Sequence, residues 1–450
     1  MESIFSELNE ISKNKKKTVP ALIADALCRQ FCPFVYNDEL YTYNGGVYTI
    51  QAKNNMLSEL HQCIPKETLD KLAVRQQKEA IELVFARAER IDKIPRHYEL
   101  LNVKNGVYDI KNNTLLPHDS KYKMTYILSV DYNSEAKSEK FIEFIKQTFK
   151  NRENLISNVQ EVCGYLISDY PPIKEMILLI GTSNTSKSVF LSIIRNIVGK
   201  EYVDSVSIKD LENEYYLSNM CNKKLNICGE LTSTTLKDLS LLKQLTSPDD
   251  AIQTRQIRQS TKMVTEKPKL VFATNHYPKL ASDIENLDAF FNRIHIIPFE
   301  KVIPKEKQID GYSDILFQEE GEGILLWMIE GYRRFLYNGT TFTHSKRVEK
   351  FQNEYRYSYT LPFEFVEKCI DFDAKKKIFT CEMQEYIEWF CECLEVDYKP
   401  EYLAQVRKIL SSKGIENKKI RKKQKTKQGF YGVKFIYKKA VKKHEFYDFD

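Results

Sequence analysis

Unbroken apolar runs mark the middle of this chain. Met176-Ile-Leu-Leu-Ile180, Leu225-Asn-Ile-Cys228, Leu270-Val-Phe-Ala273 and Ile294-His-Ile-Ile297 are short and almost wholly apolar, the pattern of strands covered on both faces. Apolar residues recur at helical spacing over 139–170, 188–198, 235–246 and 322–336. Strands alternating with helices predict an α/β sheet domain over residues 125–345. Ahead of it, a helix from Val19 to Cys32 leads into the aromatic strands Phe34–Tyr36 and Leu40–Tyr43, with a turn at Asn44-Gly-Gly46. A helical stretch over 54–92 and a hairpin from Leu101 to Pro117 follow, so residues 1–124 read as a small α+β domain. Towards the carboxyl end, helices near 361–371, 380–394 and 400–413 precede a basic hairpin, which together predict a winged helix within residues 346–450. The expected fold class is α/β and multidomain.

Composition narrows the setting. A chain of 450 residues with 42% hydrophobic content, 27 Tyr and 25 Phe holds enough apolar mass for several cores and is too long for one. Its ten cysteines are scattered, several within apolar runs, and its histidines are isolated, so a reduced cytoplasmic setting is expected and a structural zinc site is not. The amino terminus lacks an apolar signal core, and no uncharged run approaches the roughly 20 residues of a membrane span. Charge is unevenly spread. Residues 401–450 hold 15 basic against 5 acidic side chains, so the rest of the chain is net acidic although the whole carries +6. Clustered base suits a phosphate backbone, although a solvated Lys-rich tail would look the same. If DNA is the partner, Arg407 and Lys408 lie on the last helix, and Lys418, Lys419, Arg421, Lys422, Lys423, Lys425 and Lys427 line the hairpin.

The sharpest chemistry follows the first apolar strand: Gly181-Thr182-Ser183-Asn184-Thr185-Ser186-Lys187-Ser188 opens a helix. In a phosphate-binding loop, backbone N–H groups face the phosphates, the Lys ammonium reaches the β/γ oxygens and the Ser hydroxyl holds magnesium. ATP and magnesium are the expected cofactors, with Ser188 as the metal ligand. Ser186 stands where the usual pattern has a second glycine, which narrows or weakens the site unless its backbone angles are ordinary. Downstream, Glu230 ends an apolar strand, where a carboxylate can polarise water. Asn275 ends another, where an amide can sense the γ-phosphate. Arg293 precedes a third, where it can act as an arginine finger in a neighbour's site or form a structural ion pair.

Lys187-Ser188, Glu230, Asn275 and Arg293, in this order and spacing, resemble the superfamily III helicases of small viruses, phages and plasmids. Gln160-Glu-Val-Cys-Gly-Tyr165, Leu245-Thr-Ser-Pro-Asp-Asp-Ala-Ile-Gln-Thr-Arg255 and Glu322-Gly-Ile-Leu-Leu-Trp327 resemble the helicase part of phage and poxvirus primase-helicases. Asn102-Val-Lys-Asn-Gly-Val-Tyr-Asp109 resembles the module that precedes it there. Size and layout are similar to the replication initiators of staphylococcal mobile islands. The resemblance implies an AAA+ core, a homohexameric ring on DNA, and a translocating hairpin, here residues 252–264, with Arg255, Arg258 and Lys262 on strand phosphates. Many relatives pair two acids where this chain has Gly229-Glu230, and many carry Arg where it has Asn292. The expected function is an ATP-dependent DNA helicase and replication initiator binding origin duplex and single strand. The alternatives are a DNA-binding nucleotide switch with little hydrolysis and a primase-helicase. Priming is disfavoured because Asp371-Phe-Asp373 and Asp448-Phe-Asp450, read as a helix end and the terminus, do not cluster for two metals.

Overall fold

The computed structural model describes residues 18–52, 55–56, 58, 61, 73–221, 223–229, 235–236, 240–255, 261–280, 284–422 and 425–436. The chain opens with α1 (Val19–Phe31), β1 (Phe34–Tyr36), β2 (Glu39–Asn44), β3 (Val47–Gln51), α2 (Val74–Arg87) and β4 (Glu89–Arg90). Pro20 lies in the first turn of α1, where its missing N–H costs nothing, and Cys32 ends the helix with φ 40. Ile23 and Leu27 of α1 meet Ile81 and Val84 of α2 over a sheet ordered β3-β2-β1-β4. Next come β5 (Leu100–Val103), β6 (Gly106–Asp109) and β7 (Thr114–Leu116), an antiparallel sheet. Its buried Leu101, Val103 and Tyr108 share one hydrophobic cluster with α3 (Glu139–Thr148) and α4 (Glu153–Ile167). The expected boundary at 124/125 therefore runs through a continuous core.

The central region follows as β8 (Met176–Ile180), α5 (Lys187–Val198), β9 (Val203–Asp204), α6 (Glu214–Cys221), β10 (Leu225–Cys228), β11 (Thr235–Leu236), α7 (Ser240–Thr246), β12 (Ile252–Arg255) and β13 (Thr261–Val264). It continues with β14 (Lys269–Thr274), β15 (Lys279–Leu280), α8 (Ile284–Phe291), β16 (Ile294–Pro298) and α9 (Tyr312–Tyr337). Five strands form a parallel sheet ordered β16-β8-β14-β10-β9. Alternate residues feed opposite faces. Ile177, Leu179, Val271 and Ala273 join the cluster of α4, α5 and α9, whereas Met176, Leu178, Leu270 and Phe272 join that of α6 and α7. Burial on both faces is why these strands read as unbroken apolar runs. The helix expected over 235–246 is shorter: Thr235 and Leu236 pair with β15, and helix begins at Ser240. The two-residue β9, absent from the sequence reading, completes the sheet.

Helices α4 and α9 meet backbone to backbone. A Cβ on Gly331 would lie 2.1 Å from the Gln160 carbonyl oxygen, and one on Gly164 would lie 2.3 Å from the Tyr332 nitrogen, so only glycine permits this crossing. Beside it Glu161, fully buried, accepts from Arg334 Nε at 2.5 Å and from Thr343, the pairing a buried carboxylate requires.

The chain ends in α10 (Lys346–Cys369), β17 (Ile370–Phe379), α11 (Thr380–Cys393), α12 (Pro400–Ser412), β18 (Asn417–Lys422) and β19 (Lys425–Phe435). The sheet is antiparallel, ordered β17-β19-β18. Two corrections arise here. The helix expected at 361–371 begins at Lys346 and stops at Cys369, and Asp371 and Asp373 lie on a strand rather than at a helix end. Asp448 and Asp450 fall outside the described residues. Tyr355 of α10 packs with Phe290 in the central region, while Leu361, Phe365 and Val366 join the core of α11 and α12.

Candidate functional site

Four neighbouring strands end at one edge of the parallel sheet. Gly181 follows β8, Gly229 follows β10, Asn275 follows β14, and Lys301 lies three residues past β16. β8 has strands on both sides reached by later crossovers, so the chain diverges there and leaves a crevice at its carboxyl end, the usual place for a ligand in an open α/β sheet. The crevice is a cleft of about 1410 Å³.

The loop after Gly181 supplies one wall of it through Ser183 to Ser186. A Cβ on Gly181 would stand 2.1 Å from the Phe299 carbonyl oxygen, so this position is closed to any other residue. Lys187 starts α5, and its buried ammonium donates to Gly181 O at 2.6 Å, Thr182 O at 2.8 Å, Thr185 Oγ1 at 3.2 Å and Asn275 Oδ1 at 3.1 Å. Burial pulls its pKa below the ordinary lysine value. Thr274 Oγ1 donates to His276 O at 2.6 Å, turning the chain sharply around Asn275. Ser186 adopts φ 68 and ψ 11, the left-handed region, so its backbone angles are not ordinary and a serine carries strain where glycine would carry none. Thr182, Ser183, Asn184 and Ser188 are exposed, and Thr185 is buried.

Gly229 lines the same cleft, and a Cβ there would meet nothing within 4 Å among the described residues. Glu230 falls outside the described residues. For magnesium, the donor set described at the strand ends is thin: the Ser188 hydroxyl, and no carboxylate at position 229. Lys279, Lys301 and Lys307 also line the cleft and were absent from the sequence reading, because they converge from separate segments. Among the described residues no group of three or more His, Cys, Asp or Glu is placed to hold a metal ion.

Arg293 sits at the other end of the sheet. It precedes β16, whose Ile294 pairs with Met176, so the length of β8, about 16 Å at strand rise, separates it from Gly181. Its Nε is buried without a hydrogen-bond partner among the described residues.

The hairpin expected over 252–264 is present as β12 and β13, with Thr254 opposite Lys262 and Arg255 exposed. Arg258 and the Lys262 side chain are outside the described residues. The root of the hairpin is tied down: Arg96 Nη2 bonds Glu266 Oε2 at 2.5 Å, and Lys267 Nζ caps α7 through Gln244 O at 3.0 Å and Asp250 O at 2.5 Å. Nearby, Lys224 Nζ donates to Ser168 O at 2.6 Å and stands 3.3 Å from the Tyr126 ring centre, and Lys269 Nζ donates to the same carbonyl at 2.8 Å. Desolvation pushes Lys224 down to about 7, against the opposing pull of Asp169, and carries Lys269 well below the ordinary value. The sequence signal for this pair is a lysine opening each of two apolar strands.

In the carboxyl-terminal unit Arg407 and Lys408 are exposed on α12, and Lys418, Lys419, Arg421, Lys425 and Lys427 are exposed on β18 and β19. Lys422 differs: its ammonium meets both Glu382 oxygens at 2.8 Å. Lys423 is outside the described residues.

Residues 7–150 match the family described as D5 N terminal like, and residues 179–293 match a family of unknown function, DUF5906. The first match includes the phrase at 102–109 that the sequence analysis singled out. No curated protein matches the chain. Among solved structures it is similar to the A form apo structure of the NrS-1 C-terminal region, with 10% identity and a TM-score of 0.46, covering 93% of this chain and 100% of that one. An apo structure of the same region has 11% identity, a TM-score of 0.45 and the same coverage. Among the described residues no helix is long and apolar enough to cross a membrane.

Proposed function

We propose that this chain is an ATP-driven DNA helicase and replication initiator of the superfamily III, AAA+ kind, assembling as a hexameric ring. The observation that carries the reading is Lys187, held at the mouth of a loop between β8 and α5 where the parallel sheet diverges, with Asn275 Oδ1 3.1 Å from its ammonium. The D5-like match over 7–150 supports a replication role. In this reading residues 181–188 receive the phosphates of ATP, Lys187 moves from the loop carbonyls to the β/γ oxygens, and Ser188 is the loop's ligand for magnesium. Glu230 orients water and Asn275 reports the γ-phosphate. Arg293, at the far end of its own sheet, acts across a subunit boundary. Arg255, Arg258 and Lys262 of the hairpin track strand phosphates, and the unit after 345, read as a winged helix, holds the origin duplex. DNA-stimulated phosphate release, measured for wild type and Lys187→Ala, tests it: the variant is expected to fall to background, and equal rates would overturn the enzyme reading.

A second reading, a DNA-binding nucleotide switch with little turnover, is favoured by the strained Ser186 and by Gly229. ATP-dependent assembly on DNA with phosphate release at background in wild type would select it.

A further inference from the structure

We propose that the cleft neutralises a nucleoside triphosphate with its own lysines, so that binding, as distinct from hydrolysis, depends only weakly on magnesium. The proposal rests on the nucleotide reading above and deepens it. A magnesium ion at such a site is ordinarily held by one or two carboxylates together with substrate phosphates and water. Here position 229, at the carboxyl end of β10, carries no side chain although a Cβ there would meet no atom of the described residues within 4 Å. The acids described in the lining, Glu143 and Asp310, come from α3 and from the segment before α9, not from the strand ends themselves. Glu230 next door supplies at most one carboxylate.

Positive charge is better represented. Lys187, Lys279, Lys301 and Lys307 reach the cleft from α5, from β15 and from the segment after β16. Lys279 and Lys307 are exposed and Lys301 is half-buried, and none of the three forms an ion pair among the described residues. The segment that carries Lys301 and Lys307 is fastened to the phosphate loop, because Ile303 N donates to Asn184 O at 2.7 Å. A lysine ammonium is a compact charge on a long stem that binds phosphate without a fixed geometry. Several in one concave site raise the local potential for anions. Triphosphate without metal carries more negative charge than its magnesium complex, so such a wall offsets the loss of the metal.

The test is a fluorescence titration of the full chain with ATP labelled on its ribose, in excess magnesium and in excess EDTA at matched ionic strength. Wild type is expected to bind in EDTA within about five-fold of its affinity in magnesium, and Lys301→Ala/Lys307→Ala to lose about ten-fold or more in EDTA but less in magnesium. Gly229→Asp, which adds a carboxylate in open space, is expected to widen the magnesium-to-EDTA ratio through the opposite change, with thermal melting confirming that both variants fold. A wild-type loss of about fifty-fold in EDTA, or an unchanged EDTA affinity in the double variant, overturns the proposal. Absence of binding in both buffers instead overturns the nucleotide reading beneath it.

Discussion

At Ser186 a single side chain sets the character of the phosphate loop. Its φ of 68 is a conformation in which a Cβ crowds the following carbonyl, at a cost on the order of 1 kcal/mol. Ser186→Gly removes that crowding and also gives the unfolded chain more freedom, so the two effects partly offset each other. Melting temperature is therefore expected to rise only slightly or not at all. If the loop turns over ATP as proposed, steady-state phosphate release is in contrast expected to rise several-fold, because the loop amides can then approach the phosphates with no Cβ in the way. A rate equal to or below wild type would show that the serine is not what slows the site. The motif at 181–188 was legible from spacing alone. The strain at 186 was not, because a left-handed backbone is a property of the fold around it.

At the scale of elements, one lysine precedes β10 and another opens β14, and both reach carbonyls at the carboxyl end of α4. Lys224 binds a proton far less readily in the folded chain than in the unfolded one, where its pKa is near the ordinary 10.5. Between about pH 7 and that value the unfolded chain holds the extra proton, so stability rises with pH across the window. Buried cysteines with raised pKa values, Cys163 and Cys221 among them, oppose the rise once pH nears 9. The clean interval is therefore about pH 7 to 8.5. Thermal melts of wild type over that interval are expected to climb, and those of Lys224→Met to climb less; parallel profiles would show that the lysine stays charged when buried. The strands themselves were legible because burial on both faces leaves unbroken apolar runs. β17 was not. Only its ends are buried, and Asp371-Phe-Asp-Ala-Lys-Lys-Lys377 between them reads as polar, with no alternation to separate strand from helix. The two-residue β9 is too short to leave any periodic signal.

Across the whole molecule, the basic hairpin and the candidate nucleotide cleft lie in different units. The excess of lysine after residue 400 was visible from composition, yet the structure divides it. Lys418, Lys419 and Arg421 stand exposed, whereas Lys422 is engaged by Glu382. If the unit holds duplex DNA, replacing the first three with alanine is expected to lower the slope of log affinity against log salt by roughly 0.9 for each phosphate no longer neutralised. Lys422→Ala is expected to change it least. Equal effects at all four positions, read by fluorescence anisotropy at several salt concentrations, would mean that the Glu382 pair opens on binding. The cleft wall of Lys279, Lys301 and Lys307 lay beyond the sequence because the parallel sheet, not the order of the chain, brings those segments to one place.

The helix from Lys346 to Cys369 belongs to two cores at once, with Tyr355 seated in one and Leu361 onward in the other. Such a shared beam turns angle into travel. Fourteen residue steps, Pro362 among them, separate Tyr355 from Cys369, about 21 Å along the helix, so a tilt of about 10° at the first seat carries the far end by at most about 4 Å. That is comparable to the step between successive base pairs, so in the helicase reading proposed above a small rocking of the parallel sheet would shift the basic hairpin along a duplex by one unit of its repeat.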